Sequence, residues 1–242
     1  MADGSYVVDL ECFDLLILFL GNLDNAYWGG DLTIPQPRPS YQINDTNPGT
    51  DAAAAASAAF SACSALYANR SSPFPFSSRA SLQNETYASM LLTHAQQLYQ
   101  FATSASGGQM TYQSSVPAAG QAYASSSYQD ELTLAALFLA NAEGSTQRYA
   151  EAESYYDNFG LGGYNGVFNW DSKTPGLAVL FSQLAQGGLG GNMSKWQKEA
   201  EQYFDNIINK KGSGFLTNGQ CIFYCRGQEI LIIWVPRRAF VV

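Results

Sequence analysis

The residue types best suited to metal or nucleophilic chemistry are few in this sequence and poorly spaced for it. The four cysteines are Cys12, Cys63, Cys221 and Cys225, and His94 is the single histidine. Cys221 and Cys225 are four apart, but no second Cys or His pair stands at zinc-binding spacing, so a structural zinc site is not expected. His94 lies among Leu91, Ala95 and Leu98 on a stretch of helical periodicity. That setting suits a buried, hydrogen-bonded structural histidine better than a catalyst.

Composition narrows the partners. The 242 residues suit one domain with a sizeable core. The net charge is −8 and the pI is about 4.5, so nucleic acid and anionic membrane surfaces would repel the chain. Charged residues make up 13% and aromatic ones 14%. A surface rich in Tyr, Ser, Asn and Gln suits a neutral polar ligand such as a sugar, although an ordinary polar surface reads the same way. Asn-x-Ser/Thr sequences at Asn44, Asn69, Asn84 and Asn192 favour a secreted eukaryotic protein. The acids Asp3, Asp9, Glu11 and Asp14 are wrong for the start of a signal peptide, and the apolar run 15–20 is too short for one or for a membrane span. A secreted protein would therefore carry its leader upstream of this sequence.

The elements that position any site are helices. Residues 21–50 hold Gly29-Gly30, Pro35, Pro37, Pro39 and Pro48-Gly49, and read as a long loop ordered by Tyr27, Trp28 and Tyr41. Thr50 or Asp51 can cap an alanine-rich helix over 51–69. A second helix is expected over about 83–104, with Tyr87, Leu91, Ala95, Leu98 and Ala102 on one stripe. Residues 104–127 read as loop. A helix over about 128–142 is apolar on most sides from Leu132 to Ala140. The next begins near Thr146, with Tyr149, Ala152, Tyr156 and Phe159 on one face, and another spans about 174–186. Ser194-Lys195-Trp196-Gln197 reads as a capping box opening the last helix. Helices buried nearly all round alternate with amphipathic ones. That alternation predicts inner and outer rings joined as antiparallel hairpins; a tetratricopeptide-like array is the alternative, but no repeat near 34 residues is present. Residues 1–20 and 220–242 differ in character from the rest. The tail holds two of the four cysteines and the apolar run 230–235, and both segments are expected to be foreign to the domain at 21–219, with a terminal strand or helix as the alternative for the tail.

Five ordered segments carry a resemblance. They are Asp24-Asn25-Ala26-Tyr27-Trp28-Gly29; Arg38-Pro39-Ser40-Tyr41 with Asn47-Pro48-Gly49-Thr50-Asp51 and its alanine-rich run; Leu91-Leu92-Thr93-His94-Ala95 through Ala102; Ser126-Ser127-Tyr128-Gln129-Asp130-Glu131-Leu132; and Phe168-Asn169-Trp170-Asp171-Ser172-Lys173. Together they resemble glycoside hydrolase family nine, of a fungal type. The resemblance implies an all-α (α/α)6 toroid, incomplete at both ends here. It also implies a secreted, monomeric endo-β-1,4-glucanase that inverts the anomeric centre, with β-1,4-glucan as its partner and no membrane segment in this chain. Inversion uses two carboxyl groups about 6.5–9.5 Å apart. The family's Asp-Ala-Gly-Asp base motif does not occur in this sequence, and neither does its His-x-Arg region with the acid glutamate. No catalytic residue is therefore assigned, and Asp9, Asp14 and Glu229 have no matching surroundings. The resemblance further implies calcium, held by backbone oxygens of Ser126 and Ser127 and the carboxylates of Asp130, Glu131 and Asp171. Acids in a first helical turn also serve the helix dipole without any metal. Tyr27 and Trp28 are the candidates for stacking on sugar rings. Asn25 and Tyr123 are further candidates, Asn25 standing where the family has His and Tyr123 lying one residue out of register. Trp170 is expected as a core anchor. The alternatives to an enzyme are a non-catalytic glucan-binding protein of the same descent and a helical scaffold for protein partners.

Overall fold

The computed structural model describes residues 27–33, 41–68, 83–120, 124–163, 166–209, 215–217, 222–226 and 229–232. Its main body is built from helices α1 (Thr50–Tyr67), α2 (Glu85–Ser104), α3 (Tyr112–Ser115), α4 (Gln129–Glu143), α5 (Thr146–Asn158), α6 (Thr174–Gln186) and α7 (Met193–Ile208). Short 3-10 turns occur at Asp31–Thr33 and Pro117–Ala119. The all-helical expectation describes the chain from Thr50 to Ile208. Beyond it the described residues form an antiparallel meander of β1 (Phe215–Thr217), β2 (Ile222–Arg226) and β3 (Glu229–Ile232), with Phe215 opposite Tyr224 and Tyr224 opposite Leu231.

Hairpins are set by small residues and by buried hydroxyls. On α1 the buried side of the helix is Ala53, Ala54, Ser57, Ala58, Ser61, Ser64 and Ala65, which lets α2 approach closely. Ser57 Oγ donates to the Ala95 carbonyl and Ser64 Oγ to the Ala88 carbonyl, each at 2.8 Å. The partner number falls as the serine number rises, so α1 and α2 run antiparallel. The Tyr67 carbonyl accepts the Asn84 N–H at the turn between them. Leu132, Ala135, Ala136, Leu137, Leu139 and Ala140 of α4 have no solvent exposure, as a helix packed on several sides requires. Gly144 ends α4 at a φ of 67°, a left-handed conformation that glycine adopts without a Cβ penalty, and the chain reverses into α5.

An aromatic cluster fixes α5 and α7 on α6. Trp196 of α7 stacks on Phe181 of α6 at 4.0 Å, and Tyr156 of α5 meets Trp196 edge-on at 4.9 Å. Trp196 Nε1 donates to Glu153, and Tyr156 Oη donates to Glu199. Both pairs are 43 positions apart in sequence, so α5 and α7 run parallel. The result is an inner layer of α1, α4 and α6 backed by an outer layer of α2, α5 and α7.

Four local expectations are corrected. The α1 cap position is Gly49, with no side-chain cap; Asp51 lies inside the first turn and bonds elsewhere. The start of α7 is capped by Asn192, whose Oδ1 accepts the Lys195 N–H, so Ser194 is already helical. The stretch expected as loop contains α3 and the turn Pro117–Ala119; the N–H groups of Met110 and Tyr112 donate to Thr50 and Asp51 in the first turn of α1, and Gln113 bonds Ser125 on the approach to α4. Tyr87 is an exposed member of its stripe, in edge contact with Tyr67.

Candidate functional site

The starts of the inner helices lie together, and carboxylates converge there. The Lys173 N–H, directly before α6, donates to Asp130 Oδ2 in the first turn of α4 at 2.6 Å. At the start of α1, Asp51 Oδ1 accepts the N–H groups of Ala52 and Tyr112 at 2.9 and 2.8 Å. The Thr50 N–H donates to the Met110 carbonyl, and the Met110 N–H to Thr50 Oγ1. Gln113 then clasps Ser125 through both of its amide atoms. The segment around α3 thus ties the first turn of α1 to the approach to α4.

Ser126, Ser127, Asp130, Glu131 and Asp171 share this end. The Ser126 N–H donates to Asp171 Oδ1 at 2.7 Å. Asp171 is held by a local turn in which Asn169 Oδ1 accepts the N–H groups of Asp171 and Ser172. The Ser127 carbonyl accepts the Ser125 hydroxyl at 2.6 Å. Lys173 Nζ lies 3.0 Å from Glu131 Oε1 and also donates to the Trp170 carbonyl. Among the described residues, Glu131 Oε2 is buried without a hydrogen-bond partner.

Burial dominates the electrostatics. It pushes the Glu131 carboxyl up to about 8, with adjacent Asp130 adding to the shift and Lys173 opposing it. It also raises Asp51, against the hydrogen bonds from Ala52 and Tyr112. The Tyr112 phenol is raised first by burial and then by the carboxylates of Asp51 and Asp171. Among the described residues, no group of three or more His, Cys, Asp or Glu side chains is arranged to hold a metal ion. The donors around Asp130 and Asp171 suit a hard cation in kind, and Glu131 Oε2 is an unused acceptor, but a lysine ammonium stands at Glu131.

The remaining expectations divide. Trp28 is fully exposed, at 101%. Tyr27 Oη donates to the Gly30 carbonyl at 2.7 Å and also bonds Thr33 Oγ1, so this loop is closed on itself. Asn25 and Tyr123 lie outside the described residues, as do Asp9 and Asp14. Trp170 is not a core anchor: it is 44% exposed, because the turn at Asn169 faces its ring outward while its carbonyl serves Lys173. His94 is half-buried, with Nδ1 3.3 Å from Gln97 Oε1 and its ring 5.9 Å from that of Phe60. Sequence reasoning left Lys173, Asp51, Tyr112 and Asn169 out of the site. Lys173 stands two residues beyond Asp171, and that proximity was the available signal. An open pocket of about 540 Å³ adjoins the same end of the bundle, lined by Gln42, Asn44, Asp45, Thr46, Gln100 and Phe101, among others.

Parallel inner helices backed by antiparallel outer ones, with acids gathered at the inner N-termini, define a protein of the α/α-hairpin toroid class. The chain belongs to glycosyl hydrolase family 9, whose sequence model matches residues 14–234, a range that reaches into both terminal segments set apart on composition. It is 36% identical to Endoglucanase 15 of Arabidopsis thaliana over 192 residues, covering 78% of this chain and 35% of that protein. It is 34% identical to Endoglucanase B of Cellulomonas fimi over 222 residues, covering 88% of this chain and 19% of that protein. Among solved structures, the endoglucanase of the termite Nasutitermes takasagoensis superposes with a TM-score of 0.63 at 34% identity, over 78% of this chain and 39% of the termite chain. The chain thus spans about a third of the Arabidopsis relative's length.

Proposed function

We propose that this chain is part of an extracellular, monomeric endoglucanase that hydrolyses β-1,4-glucosidic bonds with inversion, and that its share of the work is to shape and hold the substrate. The observation that carries this reading is the convergence of Asp51, Asp130, Glu131 and Asp171 at one end of the inner helices, in a chain of family 9. The relatives named as endoglucanases support the reaction class. Among the described residues, no helix is long and apolar enough to cross a membrane.

The chemistry needs a carboxylate to activate water and a second carboxyl group to protonate the leaving oxygen. The acids described above are tied to backbone N–H groups or to Lys173, which suits them to building the site rather than to moving protons. The sequence holds neither Asp-Ala-Gly-Asp nor the His-x-Arg region, so the chain by itself is expected not to cleave glucan. Binding is a separate matter. The fully exposed Trp28 offers a face for a sugar ring, and the 540 Å³ pocket with its amides, hydroxyls and Phe101 has room for a short saccharide. These two features favour, as the second reading, a glucan-binding protein without catalysis.

Calcium belongs to the same proposal. Ser126, Ser127, Asp130, Glu131 and Asp171 would hold it through oxygen, and the orphaned Oε2 of Glu131 supports that reading. Bound there, the ion would neutralise acids and fasten the Ser126 loop to the Asp171 turn.

The deciding experiment measures both activities on the purified chain. Carboxymethylcellulose should be hydrolysed no faster than in buffer, and cellohexaose should bind with an affinity that Trp28→Ala weakens about tenfold, as loss of one aromatic stacking contact of about 1–1.5 kcal/mol would give. Clear hydrolysis would sink the division of labour. No binding of cellohexaose at millimolar concentration would remove the substrate-holding role.

A further inference from the structure

Two of the Asn-x-Ser/Thr sequences are placed at helix starts in a way that separates the two ends of one side chain. Asn84 caps α2, its Oδ1 accepting the Tyr87 N–H at 3.0 Å. Asn192 caps α7 in the same manner, accepting the Lys195 N–H at 3.1 Å. Both asparagines are exposed, and so are Thr86 and Ser194, which complete the sequences. The cap uses the amide oxygen. An N-linked sugar is joined through the amide nitrogen, and a secondary amide keeps its carbonyl lone pairs. Neither cap has to break for the nitrogen to carry a substituent.

Topology puts both asparagines at one end of the bundle. The Asn84 N–H donates to the Tyr67 carbonyl, at the C-terminal end of α1. Asn192 follows the C-terminal end of α6, across a turn in which Gly191 packs against Tyr149 near the start of α5. The carboxylates of Asp51, Asp130 and Glu131 lie at the opposite end, on the first turns of α1 and α4. Asn44 contrasts with this pair. It adjoins the pocket at the acid-bearing end, is half-buried, and its Oδ1 gathers the Thr46 hydroxyl and the N–H groups of Thr46 and Asn47. Asn69 lies outside the described residues.

We propose that Asn84 and Asn192 are N-glycosylation sites that place oligosaccharide on the end of the molecule remote from the gathered carboxylates. In the transfer, Asn Nδ2 attacks the anomeric carbon of a lipid-linked oligosaccharyl diphosphate. The N–C bond forms as the C–O bond breaks, the electron pair leaves with the lipid diphosphate, and one amide proton passes to the transferase. A bulky hydrophilic group at that end stands clear of a polysaccharide bound at the other. The proposal rests on the extracellular reading, since the donor is met on the secretory route.

The test expresses the whole chain in yeast behind a cleavable secretory leader and maps peptides by mass on leader-processed material, so that failure of delivery is not mistaken for failure of the sites. Thr86→Ala and Ser194→Ala abolish each sequence without touching the capping asparagine. Enzymatic deglycosylation should shift both the Asn84 and the Asn192 peptides, each variant should lose one oligosaccharide mass, and the double variant should lose two. Leader-processed protein with both peptides unmodified overturns the proposal, and one bare peptide overturns it for that residue. Bare asparagines in protein from the natural source, beside occupied ones in yeast, would support the sites and overturn the extracellular reading instead.

Discussion

At the scale of single residues, Lys173 and Glu131 hold the centre of the acid-bearing end. Lys173 Nζ bonds both the Glu131 carboxyl and the Trp170 carbonyl, so one side chain joins the first turn of α4 to the turn before α6. Removing the lysine takes the donor from Glu131 Oε1 and leaves both oxygens of a buried carboxyl unpartnered among the described residues, a cost of about 1–3 kcal/mol. Lys173→Met and Glu131→Gln should each lower the denaturation midpoint, and the double variant should lose less than the sum, with a coupling of about 1 kcal/mol or more. Strict additivity in that cycle would show that the pair does not act as a unit. Asp51 supplies a pH dependence of definite sign. Burial raises its carboxyl above the aspartate range. The stability it contributes is therefore fully present below its unfolded value of about 3.9, and is lost as pH rises through the folded value. Asp51→Asn keeps an oxygen for the Ala52 and Tyr112 N–H groups and removes the charge. Its denaturation midpoint should fall less steeply than the parent's as pH rises through the mildly acidic range. Parallel curves would contradict the sign.

At the scale of elements, the outer helices α5 and α7 meet on α6 through one tryptophan. Trp196 is fully buried, stacks on Phe181, meets Tyr156 edge-on and donates to Glu153. It therefore links α7 to α5 and α6 at once. Trp196→Ala should cost about 3–5 kcal/mol, through the lost burial and the cavity left behind. Urea unfolding measures this directly, and a loss below about 1 kcal/mol would mean the cluster is not what seats the outer layer. The alanine-rich α1 works the other way: its small side chains add little apolar area each, but they let two serine hydroxyls reach the carbonyls of α2.

At the scale of the whole molecule, the described residues contain three inner helices with three outer partners, half of what a six-hairpin toroid holds. The acid-bearing end is where a cation would act on the fold as a whole, by fastening segments distant in sequence. Saturating calcium should raise the thermal midpoint over that in chelator, the stabilisation reaching about 2.7 kcal/mol at a hundredfold excess over Kd. Asp171→Asn should reduce the rise. Identical midpoints in calcium and chelator would remove the ion from the proposal and leave the lysine clasp as the whole account.

Helix periods, the near-total burial of α4, the ordered motifs and the Asp130-Glu131 pair were legible in the chain, because local periodicity and hydrophobic pattern act over a few residues. Register between hairpins was not. It was decided by Ser57 meeting Ala95, by Trp196 reaching Glu153, and by the Lys173 N–H reaching Asp130, contacts across 38 to 43 positions of sequence. A further long-range contact, the Tyr112 N–H on Asp51, made Asp51 a strap rather than a cap, whereas the local turn at Asn169 turned Trp170 outward. Sequence by itself determined which residues could be acids, caps and core. Only tertiary packing decided that Asp51, Asp130, Glu131 and Asp171 share one end while Asn84 and Asn192 share the other, because parallel inner and antiparallel outer helices sort residues by end of the bundle rather than by position in the chain.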